Sequence, residues 1–421
     1  MTTKKLIGRL TAGFATVLVW VGSAAAQTVV VGTGDPNIDV PAVQAAVDQG
    51  GEVILKGHFS FDKPPTVPTA AAGLGPATIL VSRPVVISGA GEDENELTTI
   101  EGGTIPFYVE APGSPVTIQR LRFVHPSVDA INVYAVSGLT ITSCKIEDVE
   151  PGKTLGGEGI GIYTTFLPPN PTNPGKPENI SGTISIVNND MNVLGGKQII
   201  DPMLGITVFS AGVPVAEVDV YVSGNSIRNV TEPAIDFRLV GGRVYIERNV
   251  VKTGRVSGST PRPQAIRAVN SGSYLIAHNS IDCGWESPDA EGIGVFSQVR
   301  PEVGQQWPIK NAIVVDNDVT MSPPEGTVFG TFSAGIGVYG SAQSNVVLNN
   351  RIRGRARAAL YLDVFRGGIP DSNALVLNAF DDFEASVADI FVGDLVTNTR
   401  IVGQGTIEDH GVGTVVERVP F

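Results

Sequence analysis

One six-residue pattern recurs nine times along the chain: an aliphatic residue, two variable ones, usually an asparagine, another variable residue and an apolar one. Its fourth positions are Leu121, Cys144, Asn189, Asn225, Asn249, Asn279, Asn317, Asn350 and Asn378, each with Ile, Val or Leu three residues earlier. A strand-turn unit repeated at about 20 to 50 residues specifies a solenoid, because so short a unit buries its apolar face only against its neighbours. Seven of the nine positions are Asn, which tolerates left-handed backbone and bonds locally. Stacked at the strand spacing of about 4.8 Å, these side chains are expected to form an amide ladder, a structural task that leaves none of them for chemistry.

A second strand series lies between the turns: usually Gly or Ala, then Ile or Leu, a variable residue, an apolar one and often an aromatic. Its members begin at Ile131, Ile160, Ile206, Ile235, Ile266, Ile293, Ile336, Leu360 and Ile390. Residues two apart in a strand share a side. Alternation therefore turns Ile131 to Ile336 inward together with Val133, Ile162, Val208, Phe237, Ala268, Val295 and Val338. The first outward column reads Asn132, Gly161, Thr207, Asp236, Arg267, Gly294, Gly337, Tyr361 and Phe391; the second reads Tyr134, Tyr163, Phe209, Arg238, Val269, Phe296, Tyr339, Asp363 and Gly393. Ahead of the repeats, Asp39 to Val47 reads as a short helix with an Asp cap and a Pro in its first turn, stopped by Gly50-Gly51 and followed by the strand from Glu52.

This helix, Gly-Gly, strand opening and the repeated aliphatic-x-x-Asn-x-aliphatic turn resemble the pectate-lyase-like superfamily. The resemblance covers most of the chain after residue 26 and implies an all-β, right-handed parallel β-helix with a short N-terminal capping helix. Residues 27–421 are expected to form one domain, with 27–60 as cap and first coil and 396–421 as a partial last coil. The same scaffold carries lyases, hydrolases, esterases, epimerases and proteins with no catalytic role, so it implies a fold and not a reaction.

Residues 1–26 read as a secretory signal: Lys4, Lys5 and Arg9 lead an apolar run from Leu10 to Val21, closed by Ala24-Ala25-Ala26. Export to the periplasm or the medium is expected, with no membrane span. Removing those three cations takes the formal charge from -13 to -16. An acidic chain without a basic run disfavours nucleic acid as a partner. Cys144 and Cys283 fall about four coils apart, roughly 19 Å along the axis and beyond disulfide reach, so both thiols are expected free and buried. The four histidines show no ligand spacing. Closed ends would favour a monomer.

Inserted loops (164–181, 193–204, 251–264, 283–291, 297–311, 320–334) flank the outward series and are expected to wall a cleft along it. Its centre is polar, with Thr207, Asp236, Arg238 and Arg267, and aromatic residues lie on both sides: Tyr134, Tyr163 and Phe209 before it, Phe296 and Tyr339 after. A charged centre between aromatic platforms suits a polysaccharide lying along the axis. The bland reading stands beside this one: Asp236 and Arg267 as a cross-strand ion pair on an exposed sheet, and the rings as ordinary strand formers.

If the groove is catalytic, Asp236, Arg238 and Arg267 carry the reaction. Hydrolysis needs two carboxylates, and Asp236 has none beside it in its column; Glu158, Asp201 or Glu291 would have to supply the second. The paired-Asp and Gly-His-Gly motifs of the superfamily's hydrolases are absent from the middle coils, as are the epimerase and esterase patterns. Elimination of a uronic acid instead needs a cation for the sugar carboxylate, met by Arg238 or Arg267, and a base such as Tyr163 or an arginine. No cofactor is expected; the resemblance allows calcium, but no carboxylate cluster supports it. The reading is a lyase-type, polysaccharide-active protein, with a non-catalytic glycan-binding or surface β-helix protein as the alternative.

Overall fold

The computed structural model describes residues 27–419 except 64–76, 92–96, 151–156, 166–179, 195–202, 211–217, 239, 256–261, 271, 298 and 301–304. The expected signal segment, Asp201 and parts of several inserted loops lie outside the described residues. Thirty-four strands join in one continuous set of parallel pairings. Each coil contributes up to three strands, which stack into sheets A, B and C around a column of apolar side chains.

Sheet A contains the second strand series. Ile131, Ile160, Ile206, Ile235, Ile266, Ile293, Ile336, Leu360 and Ile390 are register partners on successive coils, as expected from the sequence, and all lie in the core. Sheet B follows, with strands such as Ile180–Val187, Val218–Ser223, Arg243–Glu247 and Ser273–Ala277. Where one strand, Asp129–Thr142, serves both sheets, the corner is Gly138 at φ 91°, a conformation that costs other residues a Cβ clash. Short strands such as Asp190–Asn192 and Ser226–Arg228 form sheet C.

The asparagine ladder stands between sheets B and C. From Asn189 through Asn225, Asn249, Asn279, Asn317 and Asn350 to Asn378, each side-chain amide donates to the next Asn Oδ1 at 2.9–3.0 Å. Each also donates to a backbone carbonyl of the preceding coil, as Asn279 does to Ile246. The left-handed residue of the turn is not the asparagine but the residue before it: Asn188, Gly224, Arg248, His278, Asp316, Asn349 and Leu377. Once one residue turns the corner, the buried amide satisfies the donors and acceptors that the turn takes out of the ladders. A second, shorter ladder joins Asn345 to Asn373 at the start of sheet B strands.

The N-terminal helix α1 spans Pro36–Gln49, three residues longer at its start than the sequence reading had it. Asp35 is its N-cap and accepts from the Asn37 N–H, while Pro36 takes the first helical position. Asp39 is buried instead, accepting from the Thr33, Gly34 and Ser60 N–H groups. Val40, Val43, Ala46 and Val47 on this helix join the core. Both cysteines are free and buried, and burial pushes each thiol up to about 12. Among the described residues, no helix is long and apolar enough to cross a membrane.

Candidate functional site

Sheet A starts each strand with a departure from simple alternation. Two consecutive residues face the core: Ala130 with Ile131, Ala234 with Ile235, Ala265 with Ile266, Ala359 with Leu360. In other coils the first is a glycine, and a Cβ on Gly159 would lie 2.8 Å from the Gly205 carbonyl oxygen. The doubled inward step reverses the parity of what precedes it. Asp129, Glu158, Gln264 and Glu291 are thereby brought to the outer face, which gains a third column.

The outer face is more covered than expected. Asn132, Thr207, Asp236 and Arg267 are all buried, while Tyr163, Phe209 and Arg238 in the second column are half-buried. The polar centre is thus a buried floor with a partly open rim. At the rim, Tyr163 meets Phe209 edge-on, with ring centroids 6.3 Å apart, and the Arg238 guanidinium sits 5.4 Å from the Phe209 centroid.

Three of the six expected aromatic and polar contact residues lie elsewhere than on an open platform. Tyr134 is 3% exposed and packs with Tyr108 and Ala135. Phe296 and Tyr339, 5% and 0% exposed, belong to a satellite core with Val269, Tyr361 and Phe391, covered by Phe332 and Phe365. Their rings are closed off because the flanking segments fold onto the C-terminal half of sheet A. Arg262 lies within that cover, its guanidinium 3.9 Å from the Phe332 centroid and 4.3 Å from that of Tyr339, and it bonds to Glu291 at 2.8 and 3.0 Å. Burial raises the Glu291 carboxyl to about 7, against the opposing pull of Arg262.

Asp236, Arg238 and Arg267 do come together. Arg267 grips both oxygens of Asp236 at 2.8 and 2.5 Å, and the Arg238 Nε donates to the same carboxylate at 2.8 Å. This is not the exposed surface pair of the bland reading, since Asp236 is 1% exposed. With both arginines engaged, Asp236 orients them rather than acting as a base.

Glu158 lies near this cluster, on the third outward column. Its side chain folds back over Gly161, where a Cβ would lie 2.3 Å from Glu158 Oε2, and the Tyr163 hydroxyl donates to Oε1 at 2.6 Å. Oε2 is buried, and Thr207 on the adjoining coil lies against the same carboxyl and favours its ionised form. On the coil before, Asp129 accepts from Asn132 at 2.7 Å and from the Glu158 N–H at 3.0 Å. Burial, then the Asp129 charge, holds the Glu158 carboxyl well above its ordinary range, and burial brings Asp129 to about 6. Burial and the charge on Glu158 hold the Tyr163 phenol above its ordinary range, which favours its protonated form.

The sequence carried a signal for these residues. Glu158-Gly-Ile-Gly-Ile-Tyr163 and Glu291-Gly-Ile-Gly-Val-Phe296 are the same motif, in which the second glycine leaves room for the glutamate three residues earlier.

Calcium does not fit this donor set. It takes six to eight oxygens at about 2.3–2.6 Å. Here Asp236 is occupied by two arginines and Asp129 by Asn132 and a backbone N–H, and among the described residues no group of three or more His, Cys, Asp or Glu is placed to hold a metal.

No protein-family profile matches the sequence, and no curated protein sequence does. Solved structures share the fold. An alginate lyase from Paenibacillus sp. str. FPU-7 is similar with a TM-score of 0.51 at 14% identity, covering 80% of this chain and 98% of that one. PfbA, a surface adhesin of Streptococcus pneumoniae, is similar with a TM-score of 0.53 at 12% identity, covering 92% and 91%. At these identities the likeness shows the fold alone, a right-handed parallel β-helix. An enzyme and an adhesin on one scaffold leave the activity to be argued from the site.

Proposed function

We propose that this protein is an exported, polysaccharide-active β-helix protein that cleaves a uronic-acid-containing glycan by β-elimination at the rim of sheet A. The observation that carries the reading is the Tyr163–Glu158 contact of 2.6 Å beside the half-buried Arg238. Arg238 would hold the sugar carboxylate and stabilise the enolate-like charge that develops on it. Glu158, made more basic by burial and by Asp129, would take the proton next to that carboxylate. The Tyr163 phenol, which keeps its proton, would donate it to the departing glycosidic oxygen. Phe209 offers a ring to the sugar, Thr207 supports the Glu158 carboxyl from the floor, and Asp236 with Arg267 fixes Arg238. The rigid stack helps because each group is held by its coil.

A second reading, a non-catalytic glycan-binding protein using the same rim, is favoured by the burial of the floor. One experiment separates the two. The protein is incubated with a panel of uronate polysaccharides, and ultraviolet absorbance from newly formed unsaturated uronate is followed for wild type, Glu158→Gln and Tyr163→Phe. The lyase reading expects absorbance from wild type that both variants lose. Binding without absorbance would establish the alternative, and neither binding nor absorbance would remove both.

A further inference from the structure

The outward face of sheet B carries an aromatic feature that the site on sheet A does not use. Tyr221 and Tyr245 are register partners on adjacent coils, half-buried, with ring centroids 4.7 Å apart and planes 4° from parallel. That spacing matches the strand separation, so the rings stack along the helix axis. One face of Tyr221 is covered by Tyr245. The other looks toward the preceding coil, where its partner is Ser185, too small to cover it.

On the same outward face, two residues back along these strands, lies a cavity of about 510 Å³ lined by Thr183, Asp219, Gly242, Arg243 and Ser273. Its floor is bare backbone: a Cβ on Gly242 would lie 2.1 Å from the Val218 carbonyl oxygen. Arg243 bonds Asp219 through Nε at 2.9 Å and Nη2 at 2.5 Å. Those bonds occupy two of five guanidinium N–H groups and leave further lone pairs on each carboxylate oxygen. A donor set and an acceptor set therefore sit side by side, the complement of two neighbouring sugar hydroxyls. The pair is neutral as a unit, so it offers no net positive charge to a carboxylate and suits an uncharged sugar.

We propose that sheet B carries a second saccharide site, separate from the reacting rim, in which an uncharged pyranose stacks on the open face of Tyr221 and places vicinal hydroxyls on the Asp219–Arg243 pair. A ring face for the C–H side of a sugar, a paired donor and acceptor for its hydroxyls, and a volume within the range of small-molecule sites occur together. The site does not depend on any reaction at sheet A.

Calorimetric titration of the full chain with neutral hexaoses built from glucose, mannose or galactose, and with an acidic uronate hexaose, tests this. At least one neutral hexaose is expected to bind. Tyr221→Ala should weaken it by about tenfold, the scale of one lost aromatic contact, and Tyr221→Phe should not. Ser185→Tyr would extend the ring stack by one coil and cover the open face, so binding should be lost while the urea midpoint holds or rises. Glu158→Gln should leave neutral binding unchanged. No neutral binding, binding indifferent to Ser185→Tyr and Tyr221→Ala, or binding lost in Glu158→Gln would each overturn the proposal; loss of cleavage at sheet A alone would not touch it.

Discussion

Raising the pH from 5 to 8 should destabilise this protein. Asp129 is raised from 3.8 to about 6 and Glu291 from 4.5 to about 7, both chiefly by burial. A carboxyl with a raised folded pKa contributes stability that is fully present below its unfolded pKa and is lost as pH rises through the folded one. Between pH 5 and pH 8 linkage gives a loss of about 1.5 kcal/mol from Asp129 and about 2.5 kcal/mol from Glu291, about 4 kcal/mol together. Glu158 is raised too and acts in the same direction. Glu147, Asp219 and Asp371 are lowered, and their contribution has the opposite sign, but it is lost only as pH falls below the ordinary carboxylate range, outside this window. Urea unfolding at constant ionic strength is the assay, since guanidinium salt would screen the charges. Glu291→Gln should remove about 2–3 kcal/mol of the pH dependence. Stability that stays level or rises from pH 5 to pH 8 would refute the burial of these carboxyls on sheet A.

Further outcomes follow from individual contacts. Asn279→Ala leaves the Asn249 N–H without its acceptor and takes a donor from the Ile246 carbonyl, so the urea midpoint should fall by the equivalent of about 2–5 kcal/mol. Asp236→Asn strands two guanidinium groups, one of them buried, and should cost about 3–5 kcal/mol by the same assay, with part recovered when Arg267→Leu is added. Gly161→Ala puts a methyl group where Glu158 Oε2 lies and 2.8 Å from the Tyr163 ring, so both must shift; the urea midpoint should fall by the equivalent of about 1–3 kcal/mol and elimination by about a hundredfold.

The fold was legible because one-dimensional periodicity maps directly onto a stack. The Ile column of sheet A follows from spacing alone, and so does the placing of Asp236 beside Arg267, 31 residues on. Less was legible at the corners. The left-handed residue sits one position before each ladder asparagine, and almost any residue type, from Gly224 to Leu377, occupies it, so composition gives no cue. Glu158 and Glu291 were legible only as loop carboxylates, since counting by twos from Ile160 or Ile293 puts them in the core rather than on the outer face. The paired inward step at Gly159 or Gly292 turns them out. Burial of Phe296 and Tyr339 was invisible for another reason: it depends on Arg262, Phe332 and Phe365 folding over from segments with no repeat of their own.

The most direct test of the site is a crystal structure of Tyr163→Phe, which keeps the ring and removes the donated proton, grown with a uronate hexaose. A sugar is expected against Phe209, with its carboxylate on Arg238 and its acidic carbon facing Glu158. An oligosaccharide bound only on another face, or a rim that stays empty at saturating sugar, would contradict it.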